Sequence, residues 1–129
     1  MTDGIEAVTT TALGLALDAA SLRQQAIAAN IAQADVEGYV PMAVDFEGQL
    51  QEAWRESNGH RLLDPSALAG AAPRLRADTD TAMLGLSPKV LLDMQVARLA
   101  QNGVQYQALV AGLTKHYAIL STAVSDGRK

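Results

Sequence analysis

The chain contains no cysteine, which excludes disulfide staples and thiolate metal sites and fits any redox compartment. Aromatic side chains are scarce: Tyr39, Phe46, Trp54, Tyr106 and Tyr117 are all there are in 129 residues. A thick globular core usually carries several such anchors, so their scarcity argues for thin packing between helices. No stretch approaches the ~18 uninterrupted apolar residues of a membrane span. The N-terminus lacks a basic segment followed by an apolar one, so no conventional signal peptide is expected. Basic residues are outnumbered, ten against 14 acids, and the net charge of −4 argues against nucleic acid as the main partner.

What is present is mostly small and aliphatic. Hydrophobic residues make up 49% of the chain, dominated by Ala, Leu and Val, which suit helices that approach closely. The length suits one domain. Charge is unevenly spread. Residues 1–50 carry the acids Asp3, Glu6, Asp18, Asp35, Glu37, Asp45 and Glu47 against the single base Arg23, whereas bases exceed acids in residues 51–129. An acidic N-terminal part can attract a more basic C-terminal part, within a subunit or between subunits. The alternative is two solvated faces of differing charge, since exposed pairs contribute only ~0–1 kcal/mol.

Residues 4–34 predict a helix. Leu13, Leu17, Ala20, Gln24, Ile27, Ile31 and Ala34 step by alternating fours and threes, one helical stripe. Ala12, Leu15, Ala19, Leu22, Ala26 and Ala29 form a second stripe beside it. Two adjacent stripes make a wide apolar face that can serve more than one neighbour. Gly38 suits the left-handed exit of a helix, and Pro41 forbids its resumption.

In residues 45–56, Phe46, Leu50 and Trp54 stand at i, i+4 and i+8 and predict a short amphipathic helix. Residues 57–88 hold Asn58-Gly59, Asp64-Pro65, Gly70, Pro73, Gly85 and Pro88. Such breaker density predicts loops, with two short strands around Pro73–Ala77 and Thr81–Leu86. The domain reading is a terminal-helix unit, residues 1–44 and 88–129, and an irregular middle, residues 45–87, partly mobile until a partner orders it.

The C-terminal segment has the clearest pattern. Ser87 suits an N-cap and Pro88 the first helical turn. Leu92, Val96, Leu99, Gly103, Tyr106, Val110, Leu113, Tyr117, Leu120 and Val124 then alternate in steps of four and three, the heptad seam of a coiled coil. At 1.5 Å per residue this predicts a rod of roughly 55 Å. Gly127 and the basic pair Arg128-Lys129 suit its C-terminal end. The fold class expected is therefore mainly α: two long terminal helices paired antiparallel as a coiled coil. Two helices alone cannot bury two wide apolar faces, and the remaining surface predicts association.

No catalytic constellation stands out. His116 has no acid or second histidine at i+3 or i+4, and His60, with Asp64 at i+4, lies in the breaker-rich stretch and not on a helix, so a metal site is not expected and both read as solvated. Asp78-Thr79-Asp80 faintly resembles the start of a calcium loop, but the glycine and terminal glutamate such a loop needs are missing, and it reads as a turn. Phosphate-cradling glycine loops are absent. No catalytic residue, metal or cofactor is expected, and an enzyme with its site in residues 57–88 has no positive motif.

One stretch is more specific than periodicity. Leu22-Arg-Gln-Gln-Ala-Ile-Ala-Ala-Asn30-Ile31-Ala32-Gln-Ala34-Asp-Val-Glu-Gly38-Tyr39 resembles the N-terminal motif of the bacterial flagellar axial proteins, the rod, hook and hook-associated subunits. In that family an Ala-Asn-Ile-Ala-Asn run ends the first helix and Thr-Pro-Gly-Tyr follows. Ala29-Asn30-Ile31-Ala32 and Gly38-Tyr39 are kept, whereas Gln33, Val36 and Glu37 stand where the family usually has Asn, Thr and Pro. An Asn late in a helix can bond free backbone groups near its end, Gly permits a tight exit, and Tyr39 can anchor the returning chain. The run from Val90 to Val110, with Asp93, Gln95 and Tyr106, is similar to the C-terminal helix of proximal rod members. The family often has Glu at the position of Gln95, and Asp-Gly-Asn in place of Leu86-Ser87-Pro88. The likeness covers roughly residues 5–50 and 88–129.

The resemblance implies a structural subunit of the proximal rod. Such subunits leave the cell through the flagellar type III export apparatus without a cleaved signal peptide, and they assemble in the periplasm around the export channel. It implies as partners further copies of the chain, the rod proteins FlgC, FlgF and FlgG, the rod-base protein FliE and the membrane ring. The expected assembly seam is Leu13, Leu17, Ile27 and Ile31 on the first helix, and Leu92, Val96, Leu99, Tyr106, Val110, Leu113, Tyr117 and Leu120 on the last. A competing reading of the same exposed stripe is a soluble helical adaptor or export chaperone that binds one partner helix.

Overall fold

The computed structural model describes residues 2–56 and 65–127. Helix α1 spans Thr2–Ala32, strand β1 Met42–Asp45, helix α2 Glu47–Glu56, helix α3 Pro65–Ala69, strand β2 Arg74–Ala77, helix α4 Thr79–Met83 and helix α5 Pro88–Gly127. The fold is mainly α, two long terminal helices with a small middle layer, as the periodicity predicts. His60, Arg128 and Lys129 lie outside the described residues.

α1 and α5 run antiparallel. Three cross-helix polar contacts fix the direction: Asn30 meets Gln95, Asn102 meets Ala20 and Gln24, and Thr10 meets His116. As the number rises along α1 it falls along α5. The 40 residues of α5 make a rod of about 60 Å. Its start is set by Ser87, whose carbonyl accepts from Leu91 N–H at 2.9 Å and whose hydroxyl stands 3.4 Å from Val90 N.

The core is thin, as the composition implies. Ala19, Ala26, Val44 and Phe46 are buried together, with Leu15, Leu22, Met42 and Leu50 packed around them. α3 lies against α1 and α2 and buries Leu68 completely. β1 and β2 form a two-stranded antiparallel sheet with Met42 opposite Ala77 and Asp45 opposite Arg74. β1 covers α1, so the sheet acts as a clip that holds the middle of the chain to the first helix.

Several expectations differ from this structure. The short helix begins at Glu47, because Asp45 remains in β1 and its carboxylate accepts from Gly48 N–H instead. Of the two strands expected in the middle, Arg74–Ala77 forms. Thr81–Leu86 does not: Asp78 takes the N-cap position and accepts from Thr81 N–H, which starts α4. The same capping corrects the reading of residues 78–80 as a plain turn. The strand that pairs with β2 comes from Met42–Asp45, directly after Pro41. α1 is also apolar enough over Ile5–Ala32 to cross a bilayer by length and composition alone, which an unbroken-run criterion missed. Here its buried residues pack on β1 and α5.

Candidate functional site

Two features stand out on the terminal helices: a buried polar knot where α1 ends, and an apolar stripe that α5 leaves to solvent.

The knot is centred on Asn30, which has 0% exposure. α1 gives way to turns in which Val36 N–H donates to Gln33 O and Tyr39 N–H to Val36 O, and Gly38 sits at φ +78°, a region that only glycine enters freely. The chain then doubles back along α1. Asn30 Oδ1 accepts from Tyr39 Oη at 2.8 Å and from Met42 N–H at 2.8 Å. Asn30 Nδ2 donates to Met42 O at 2.9 Å and to Gln95 Oε1 at 3.1 Å. Both lone pairs and both protons of the amide are thus used, and the Met42 N–H fixes which end is oxygen. Aspartate would lack the two donors. Alanine would leave the N–H and C=O of half-buried Met42 without these two bonds. One side chain therefore ties the helix exit, strand β1 and helix α5 together.

Of the motif residues expected at this exit, Asn30 and Tyr39 meet in the knot, and Gly38, itself exposed, makes the turn between them. Ile31 is half-buried, and Ala32, the last helical residue, is exposed. Gln95, the family departure on α5, is the knot's fourth member. Hydrophobicity could not point to it, because it is a fully buried polar residue.

The face that α5 turns toward α1 is partly polar. Gln95, Asn102 and His116, spaced by multiples of seven, each reach α1. Asn102 Nδ2 donates to Ala20 O at 2.9 Å and to Gln24 Oε1 at 3.2 Å. His116 Nε2 stands 3.3 Å from Thr10 Oγ1 in a part-buried contact, so it is not the solvated histidine expected. Gln95 Nε2 and Asn102 Oδ1 are buried without a partner among the described residues.

That arrangement leaves much of the expected apolar stripe to solvent, although Gly103 and Tyr106 border a groove shared with Ala20 and Gln24 of α1. Leu99, Gly103, Leu113 and Leu120 are half-buried, whereas Leu92, Val96, Tyr106, Val110, Tyr117 and Val124 are exposed. On α1, Ile27 is buried and Leu13, Leu17 and Ile31 are half-buried. Exposed apolar side chains thus run nearly the length of α5, and no other described element covers them.

A second polar cluster joins the middle layer to α5. Asp78 is buried and holds Thr81 Oγ1 at 2.6 Å, Thr81 N at 3.1 Å and Arg98 Nη1 at 3.2 Å. Burial pushes the Asp78 carboxyl up, but the Thr81 hydroxyl and N–H and the Arg98 guanidinium outweigh it and hold the pKa below its ordinary value. The cluster borders a cleft of about 490 Å³ between α1, the sheet and α5, lined among others by Arg23, Met42, Arg76 and Gln95. Arg23 at its rim bonds both oxygens of Glu47, at 2.6 and 2.7 Å, and ties α1 to the start of α2. Among the described residues no three His, Cys, Asp or Glu side chains come together as a metal site.

The chain is 31% identical to the flagellar basal body rod protein FlgB of Bacillus subtilis (strain 168) over 117 residues, which cover 88% of this chain and 90% of that protein. The chain belongs to the FlgB family of flagellar basal body rod proteins. FlgB of Proteus mirabilis (strain HI4320) is 27% identical over 125 residues, covering 87% of this chain and 90% of the relative. No family model and no solved structure matches the chain. Both FlgB alignments extend across most of the chain. FlgB membership makes this a flagellar basal-body protein and a member of the rod assembly.

Proposed function

We propose that the chain is a structural subunit of the proximal rod, works by assembly rather than catalysis, and packs through the outer face of α5 and the free part of α1 into the helical wall around the export channel. The observation that carries this reading is the stripe Leu92, Val96, Tyr106, Val110, Tyr117 and Val124. It is exposed on a helix whose inward face is already occupied by other residues. A contiguous apolar stripe of this length is an interaction surface rather than ordinary solvent-facing scatter. The knot at Asn30 keeps the two helices in register, so each subunit offers the same surface to its neighbours. The middle layer, α2, α3, β2 and α4, forms the outer contacts. The chain reaches the periplasm through the flagellar type III apparatus without a cleaved signal peptide. Its neighbours there are its own copies, FlgC, FlgF, FlgG, FliE and the membrane ring.

A deletion strain tests the reading. Rods should be absent without the gene, and the tagged wild-type chain should co-purify with basal bodies when it is restored. A deletion strain that still builds complete rods, or a chain found only in a small defined soluble complex, would support the adaptor reading instead.

A further inference from the structure

We infer that the open edge of the small sheet is a contact for a second copy of the chain, with strand β2 of one copy receiving the acidic helix-exit turn of the next. The inference rests on the rod reading and adds a specific contact to it.

β2 is the edge strand. Among the described residues it pairs with β1 on one side only, and all four of its residues, Arg74, Leu75, Arg76 and Ala77, are exposed. An open edge of this kind is a ready surface for another chain unless it is covered. Its side chains alternate base, apolar, base, with Leu75 51% exposed. Neither Arg74 nor Arg76 forms an ion pair among the described residues; Arg76 only bonds the carbonyl of the next residue, Ala77, at 3.4 Å.

The complement is on the same chain. In the turn after α1, Asp35, Val36 and Glu37 alternate acid, apolar, acid, and all three are exposed, Val36 by 55%. Neither acid is in an ion pair among the described residues. Val36 and Glu37 are two of the positions that depart from the flagellar axial motif, and the knot at Asn30 uses neither side chain. The two ion pairs of the described residues, Arg23–Glu47 and Arg98–Asp78, each stay within one half of the chain. Among the described residues no ion pair joins the acidic N-terminal and basic C-terminal parts, and that attraction remains available between subunits. The turn keeps its own backbone bonds and meets the edge through side chains: the carboxylates of Asp35 and Glu37 face the guanidinium groups of Arg74 and Arg76, and Val36 faces Leu75. Because turn and edge are different patches, the contact is heterologous, and where it does not close it adds copy after copy.

The test uses the full chain in sedimentation velocity at low and high salt. Wild type should self-associate at low salt and less so as salt screens the pairs. R74E/R76E should weaken association by ~tenfold or more, and so should D35R/E37R, since each turns two attractive pairs into repulsive ones. All four side chains are exposed, and far-UV circular dichroism should match wild type in both variants. Mixing the two variants should restore association, because each then finds the opposite charge on the other. Wild type that stays monomeric at low salt, variants that associate as wild type does, or a mixture that fails to recover would each overturn the contact. None of these results bears on whether the chain is found in basal bodies, so failure here is separate from failure of the rod reading.

Discussion

Tyr39 donates its hydroxyl to Asn30 Oδ1 at 2.8 Å from nine residues further along the chain, and Asn30 is completely buried at the receiving end. This bond closes the loop by which α1 hands the chain to β1. Asn30→Ala removes it together with two bonds to the Met42 backbone and one to Gln95, leaving those groups unpaired in the interior. The expected loss is about 2–4 kcal/mol of unfolding free energy. Tyr39→Phe removes a single bond and should cost about 1 kcal/mol. Urea denaturation of both purified variants measures the pair. Equal effects would mean that Asn30 is not the centre of the knot.

Asn102 should behave in the opposite way. Its Oδ1 is buried without a partner, so the residue already carries a desolvation cost. Asn102→Leu removes that orphan, and the two bonds lost fall on Ala20 O, a carbonyl within α1, and on the side chain of exposed Gln24. Stability should stay within about 1 kcal/mol of wild type or rise, as when buried polar groups give way to apolar ones. A fall in the urea midpoint as large as that of Asn30→Ala would contradict this.

Much of the architecture was legible from the residues. The steps of four and three placed both terminal helices to within about two residues, and Asn30, Gly38 and Tyr39 announced the exit. The inward face of α5 was not legible. A search for apolar positions follows Leu92, Val96 and Val110, whereas the contacts of α5 with α1 include Gln95, Asn102 and His116, and polar residues at seven-residue spacing carry no hydrophobic signal. β1 was missed because Met42–Asp45 is too short for alternation to register. Its backbone is held by the Asn30 side chain and by β2, both remote in sequence. α4 was missed because Thr81 suggested a strand, while Asp78, three residues earlier, caps a helix.

Acid should loosen the join between the middle layer and α5. Asp78 has a lowered pKa in the folded chain, so between its ordinary value, about 3.9, and the lower folded value the unfolded chain binds more protons. Stability from the cluster is complete at neutral pH and falls as pH drops through that window. Arg98 is partly exposed and adds less than the Thr81 bonds. Asp78→Asn should lower stability at pH 7 and flatten its decline below pH ~4. Urea midpoints across that range for both proteins give the comparison, and parallel curves would count against it.

Two glycines should respond oppositely to alanine. Gly38 holds φ +78°, and a Cβ there costs about 1–2 kcal/mol through backbone strain although the space around it is open. Gly103 is inside α5, and a Cβ would meet nothing within 4 Å. Gly103→Ala should stabilise the isolated chain by about 0.5–1 kcal/mol through helix propensity. Thermal melts of the two variants should move in opposite directions.

The outer stripe of α5 is tested most directly by changing it where the subunit does not use it. Val96 and Val110 are exposed, so V96D/V110D should leave the monomer folded and exported. Basal bodies isolated from a deletion strain complemented with wild type should contain the chain and complete rods; with V96D/V110D they should contain neither. Complete rods built with the variant, or built by wild-type cells whose basal bodies lack this chain, would contradict assembly through this face.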